Sequence, residues 1–229
     1  MLSGIFNYDN PFWRFIGKFC DVMILNVLWV LCSIPVVTMG ASTTAVYYVT
    51  LKLVRDEEGP TIRSFFRSFK ENFRQATIIW LIMLAAGSLL GFDLYFFLAI
   101  QRTASALRTV MLAVFGGFLM VYLLVLMLVF PLQARFYNPV KRTLFNAFFM
   151  SVRHIGHTVG MILMDILLVM AAVFVLPMLQ ALLFLFGFPL FAFLNSYVIV
   201  GIFDRYMPKE GEGRDHPLEL LEAGGKEGR

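Results

Sequence analysis

The sequence predicts an all-α, polytopic helical membrane protein. Three observations carry that reading. Hydrophobic residues make up 59% of the 229-residue chain and charged residues only 15%, and the mean hydropathy is +0.78. The apolar residues fall in runs long enough to cross a bilayer core of about 30 Å. The loops between those runs hold nearly all of the Lys and Arg. A soluble domain of this size could not bury so much apolar surface.

The pattern predicts six transmembrane helices, with five as the alternative, and two cytoplasmic interfacial amphipathic helices. Residues 1–203 form a single membrane domain. The first apolar block, 19–54, is too long for one span and splits into 19–35 and 36–54, with Pro35 and Gly40 at the turn or at a helix break beside it. In the five-span alternative, 36–54 does not cross. An acidic turn at 56–60 favours a helix start immediately after it. The helix over 61–75 gathers Ile62, Phe65, Phe66, Phe69 and Phe73 on one arc and Arg63, Arg67, Lys70 and Arg74 on the next.

From residue 76 the chain turns apolar through 100, interrupted only by Asp93. Further spans follow at 109–132, 159–179 and 182–203. A second interfacial helix is expected over 143–157. The tail 204–229 is rich in Gly, Glu, Lys and Arg and reads as a disordered cytoplasmic segment. The apolar run that follows the N-terminus is too long for a signal sequence, so the N-terminus is expected to be retained.

The arrangement places seventeen of the nineteen Lys and Arg residues on one side and leaves only Arg102 and Arg108 on the other. Under the positive-inside rule both termini are then cytoplasmic, in a multi-pass protein of the cytoplasmic membrane. A short similarity links FFRSFK at 65–70 to FFMSVR at 148–153, each ahead of a pair of spans. A duplication related by an axis along the membrane normal would produce it, as would chance in Phe-rich sequence.

Amide and carboxylate residues inside spans are where function is sought first. Counted from the cytoplasmic ends, Asn26, Asp165 and Asn195 share one layer about 9–12 Å deep, whereas Asp93 lies near the opposite surface. The plain reading of that layer is hydrogen bonding between helices; the sharper one is a solute or proton site. His154 and His157 form an HxxH pair with no third local ligand, so no metal and no cofactor is expected. Cys20 and Cys32 are about 18 Å apart along a helix, beyond disulfide reach. No nucleophile elbow, phosphate-binding loop or dinucleotide fingerprint is present, so no enzyme activity is expected, and nothing implies nucleic-acid binding. The basic helix has two readings, an anchor on anionic lipid through Arg63, Arg67, Lys70 and Arg74, or a docking surface for a partner with Phe65, Phe69 and Phe73. Small residues from Gly40 to Thr44 permit close helix approach.

The ordered motifs NPFW (10–13), LNVLW (25–29), CSIP (32–35), VVTMGASTTAVYY (36–48) and SFFRSFKENFRQA (64–76) resemble the YesL family of bacterial polytopic membrane proteins. The resemblance covers about the first hundred residues and brings no catalytic residues with it. Members are often encoded beside carbohydrate importers and glycan-degrading enzymes. The resemblance therefore implies a non-enzymatic accessory role near sugar uptake, in contact with subunits of an ABC-type importer. A small transporter or channel using Asn26, Asp165 and Asn195, as a monomer or a homo-oligomer, is the competing expectation.

Overall fold

The structure, a computed structural model, describes residues 11–57, 59–100, 106–174 and 177–206. Among these residues seven α-helices run in order: α1 (Pro11–Ser33), α2 (Met39–Val54), α3 (Thr61–Tyr95), α4 (Ala106–Arg135), α5 (Val140–Arg153), α6 (Ile155–Phe174) and α7 (Pro177–Phe203). No strand occurs among the described residues. Among the described residues five stretches are long and apolar enough to cross a membrane: Ile16–Ser33, Thr61–Ala99, Ala106–Arg135, Ile155–Phe174 and Leu183–Phe203. The all-α polytopic membrane class is thus the class of the molecule. The tail 207–229 and Arg102 lie outside the described residues.

Local chemistry sets the boundaries. α1 stops at Ser33 because the residue before Pro35 is driven from helical dihedrals. The 3₁₀ turn Val36–Thr38 follows, and the Thr38 hydroxyl donates to Cys32 O at 2.6 Å and Pro35 O at 2.8 Å, satisfying carbonyls at the end of α1. Pro60 and Pro139 precede α3 and α5, and Pro177 opens α7, positions where a missing N–H costs nothing.

Four differences from the sequence expectation are physical. The stretches expected as an interfacial helix at 61–75 and a span at 76–100 are one uninterrupted helix, since no Gly or Pro occurs between 61 and 86. At 35 residues α3 is about 52 Å long, well beyond the hydrocarbon thickness, and its basic end continues in the same helix as the apolar part. The second amphipathic helix ends at Arg153, four residues early, because His154 leaves helical dihedrals (φ −110°, ψ 35°), and α6 starts at once. The two members of the FFRSFK/FFMSVR similarity therefore differ: the first runs straight into its span and the second is broken from it.

The third difference is α2, which has 16 residues and spans about 24 Å, less than a full bilayer core. It is the protein's central helix, with Gly40 to Tyr47 buried without interruption among α1, α3, α4 and α7. It returns the chain to the end where α1 began: Lys18 pairs with Asp56 at 2.7 Å and the Thr61 hydroxyl donates to Asp21 at 2.6 Å. Arg55 with Asp204, and His154 with Tyr206, bring the last turn of the bundle and the α5–α6 junction to the same end.

The fourth concerns packing along α3 and α4. Buried residues of α3 stop at Met83, and those of α4 begin at Leu124. The remaining halves form a hairpin whose Leu89, Phe92, Tyr95, Val110, Val114 and Phe118 are exposed, a surface matched to lipid.

Candidate functional site

The outer face of α3 begins with a basic and aromatic patch. Phe65 is fully buried and stacks with half-buried Phe69, whereas Ile62, Phe66 and Phe73 are exposed beside exposed Arg63, Arg67, Lys70 and Arg74. The predicted aromatic arc is therefore divided: Phe65 and Phe69 anchor the helix to the bundle, and Phe73 stays on the outside. Arg67 pairs with Glu71 at 3.0 Å, an exposed pair one helical turn apart that contributes little to stability.

Behind this patch lies a polar node that periodicity did not reveal. Gln133 of α4 is buried and donates from Nε2 to Gln75 Oε1 at 2.8 Å and Asn72 Oδ1 at 3.2 Å, while its Oε1 accepts from the Thr143 hydroxyl at 3.2 Å. Asn72 in turn donates to the carbonyl and hydroxyl of Ser68. One amide thus ties α3, α4 and α5 together. The sequence signal was an amide just after Pro131 in an apolar run, but its three partners come from two other helices.

Pro35 and Gly40 are resolved as a turn and a close helix contact. A Cβ at Gly40 would collide with Trp80 Cβ and stand 2.5 Å from Ala76 O, so α2 and α3 approach closely only because this residue is Gly. The Trp80 indole completes the contact by donating to Val36 O at 2.7 Å.

The expected layer of Asn26, Asp165 and Asn195 is split. Asn195 Nδ2 donates to Asp165 Oδ2 at 2.9 Å, joining α7 to α6. Asn26 faces the α7 kink instead, where its Nδ2 donates to Leu185 O at 2.9 Å and Phe184 O at 3.1 Å. The reason is backbone chemistry. Pro189 has no N–H to offer the carbonyl four residues earlier, which is Leu185, and Gly187 at φ 48°, ψ −144° interrupts the helix beside it. Among lipid-facing helices such carbonyls need a donor, and Asn26 supplies it.

Asp165 Oδ1 and Asn195 Oδ1 are buried without a hydrogen-bond partner among the described residues. The Tyr47 phenol lies within electrostatic range of the Asp165 carboxylate. Ten residues of α2, about 15 Å, separate the Gly40–Ala76 contact from the Thr50–Ser196 hydrogen bond of 2.9 Å. That spacing sets Asn195 about level with Ser68, on the basic half of α3. Asp93 is on the distal half of α3, away from this pair.

At the basic end, the α5–α6 junction forms a cleft of about 440 Å³ lined by Arg153, His154, His157, Arg205 and Tyr206. His154 Nε2 and the Tyr206 hydroxyl are 2.9 Å apart, and the Arg153 guanidinium lies 5.8 Å from the Tyr206 ring centre. Burial, with Arg205, His157 and Arg153 close by, holds the His154 imidazole below its ordinary value of 6.5. Among the described residues no group of three His, Cys, Asp or Glu gathers into a metal-ligand set, so the HxxH pair has no third ligand there.

A helical bundle with a lipid-matched hairpin and polar, basic chemistry gathered at one end defines a polytopic membrane protein with a specialised basic face. Residues 22–94 match the family model "Protein of unknown function, DUF624". "Uncharacterized protein YesL" of Bacillus subtilis (strain 168) is 27% identical over 155 residues, covering 66% of this chain and 70% of the relative. Over these stretches the chain is similar to the YesL family. No solved structure matches it.

Proposed function

We propose that the protein is a non-enzymatic accessory component of an ABC-type carbohydrate importer, held in the bacterial cytoplasmic membrane with both termini in the cytoplasm. It works through protein contacts at the basic end of the bundle. The observation that carries this reading is α3, a single helix longer than the bilayer core whose protruding part exposes Arg63, Arg67, Lys70 and Arg74 beside Ile62, Phe66 and Phe73. A cytoplasmic partner with an acidic rim around an apolar groove is complementary to such a face. The Gln133 node supports the reading, because it fixes α3 against α4 and α5 and presents the face rigidly. The association with sugar uptake rests on the family resemblance.

The test is affinity purification of the tagged protein from its native membrane in mild detergent, with mass spectrometry of what is retained. Importer permease or ATPase subunits are expected with the wild type and absent after combined Arg67→Glu, Lys70→Glu and Arg74→Glu. Co-purification that survives charge reversal in a correctly inserted protein would sink the docking role of α3.

A second reading, a small transporter, is favoured by one observation: the unpartnered oxygens of Asp165 and Asn195 could accept a cation or proton. In that case Asp165→Asn abolishes flux in liposomes while the partner profile is unchanged.

A further inference from the structure

The basic cleft at the α5–α6 junction does not stand alone. A second cleft of about 360 Å³ adjoins it, lined by Leu132, Phe136, Phe149 and Met150 with Asn138 and Asn146 at its edge, and Arg153 and Tyr206 line both. One compartment is thus cationic and the other mainly apolar, with a shared wall of one guanidinium and one phenol. We propose that the two clefts form one binding site for a lipid carrying a phosphate monoester head group, with the phosphate in the basic cleft and acyl chain in the apolar one.

The donor chemistry selects the head group. Arg153 and Arg205 offer planar forks that match phosphate oxygens in bidentate fashion, and His154 and His157 add ring donors. Ile155 and Gly156 line the cleft at the start of the 20-residue α6, whose positive dipole end favours an anion. Among the described residues no carboxylate lines either cleft. The nearest in sequence, Asp204, is held by Arg55. A phosphate monoester spreads up to two negative charges over three terminal oxygens, whereas a phosphodiester spreads one over two, so the former matches two guanidiniums and the histidine donors more fully.

The position selects a lipid over a soluble ester. α5 buries Thr143, Ala147, Met150 and Ser151 against the bundle and exposes Phe145, Phe148, Phe149 and Val152 on the other side. Such a helix lies at the boundary of headgroups and acyl chains. Phe149 belongs both to that exposed face and to the apolar cleft, so a chain can pass from the membrane into the cleft without crossing water. Titration adds a signature. The depressed imidazole of His154 is neutral at pH 7, and a dianion placed beside it favours its protonation, offsetting the opposing Arg153, His157 and Arg205.

The test uses the full-length protein in a neutral detergent, titrated calorimetrically with short-chain phosphatidic acid, short-chain phosphatidylcholine and inorganic phosphate. Phosphatidic acid is expected to bind and phosphatidylcholine not. Arg153→Gln with Arg205→Gln should weaken phosphatidic acid at least tenfold, and Phe149→Ala should weaken it without changing the response to inorganic phosphate. Arg63→Gln with Arg67→Gln, on the separate basic face of α3, should leave it unchanged. Unliganded melting temperatures identify variants that merely misfold, and for these Arg153→Lys and Arg205→Lys replace the Gln pair, with the same weakening expected because Lys loses the fork geometry. Equal loss from the α3 variants would overturn the proposal in favour of diffuse surface charge. Inorganic phosphate binding as tightly as phosphatidic acid would overturn the lipid assignment and leave a soluble phosphate ester as the ligand.

Discussion

Replacing Gly40 with Ala adds one methyl group at the point where α2 and α3 come closest. That carbon would stand 2.5 Å from the Ala76 carbonyl oxygen and closer still to Trp80 Cβ. Ordinary contact begins near 3.4 Å, so the two helices must separate by about 1 Å. Neither obstacle is the free end of a flexible side chain, and rotamer change gives no escape. Overpacking of this kind costs about 1–3 kcal/mol. The separation also stretches the Trp80–Val36 hydrogen bond, now 2.7 Å. Gly117→Ala is the control, because nothing lies within 4 Å of a Cβ there and Ala is the better helix former by up to about 1 kcal/mol. Unfolding in mixed micelles, followed by tryptophan fluorescence, should show Gly40→Ala destabilised by about 1–3 kcal/mol and Gly117→Ala unchanged or stabilised. If the two variants behave alike, the close α2–α3 contact is wrong, and with it the depth assigned to α2.

Gln133→Leu removes the amide that serves α3 and α5 at once; leaving the Asn72 and Gln75 carbonyl oxygens and the Thr143 hydroxyl without it should cost about 1–3 kcal/mol, and hydrogen exchange should rise first in α5. Asn26→Leu strips the donor from Leu185 O and Phe184 O and should destabilise the kinked helix by a similar amount, about 1–3 kcal/mol, measured by the same unfolding assay; an unchanged midpoint would refute its role at the kink. The pH profile follows from His154. Its folded value lies below the ordinary 6.5, so the folded state binds fewer protons than the unfolded state around and below that pH. This contribution is therefore complete above pH 6.5 and is lost as pH falls through 6.5 toward the lower folded value, so the melting temperature should drop over that window and drop less in His154→Gln.

Hydropathy and the Pro and Gly signals gave the helical membrane class and the apolar runs, because hydrocarbon demands length and continuity that a linear sequence displays openly. The same reading gave the basic face of α3, since 3.6-residue periodicity is a property of one segment. It could not show that this face continues straight into a span, nor that Asn26 turns away from Asp165 and Asn195. Those outcomes depend on partners far along the chain: Pro189 orphans the Leu185 carbonyl, and Asn26, 159 residues earlier, is the donor that packing delivers to it. Gln133 teaches the same lesson, because an amide in an apolar run announces a need for partners without naming them. What the sequence determined by itself was which surfaces must avoid water and where charge must collect. What only the tertiary structure decided was which buried polar groups meet, because a hydrogen bond is satisfied within about 3 Å while its two ends can lie anywhere along the chain.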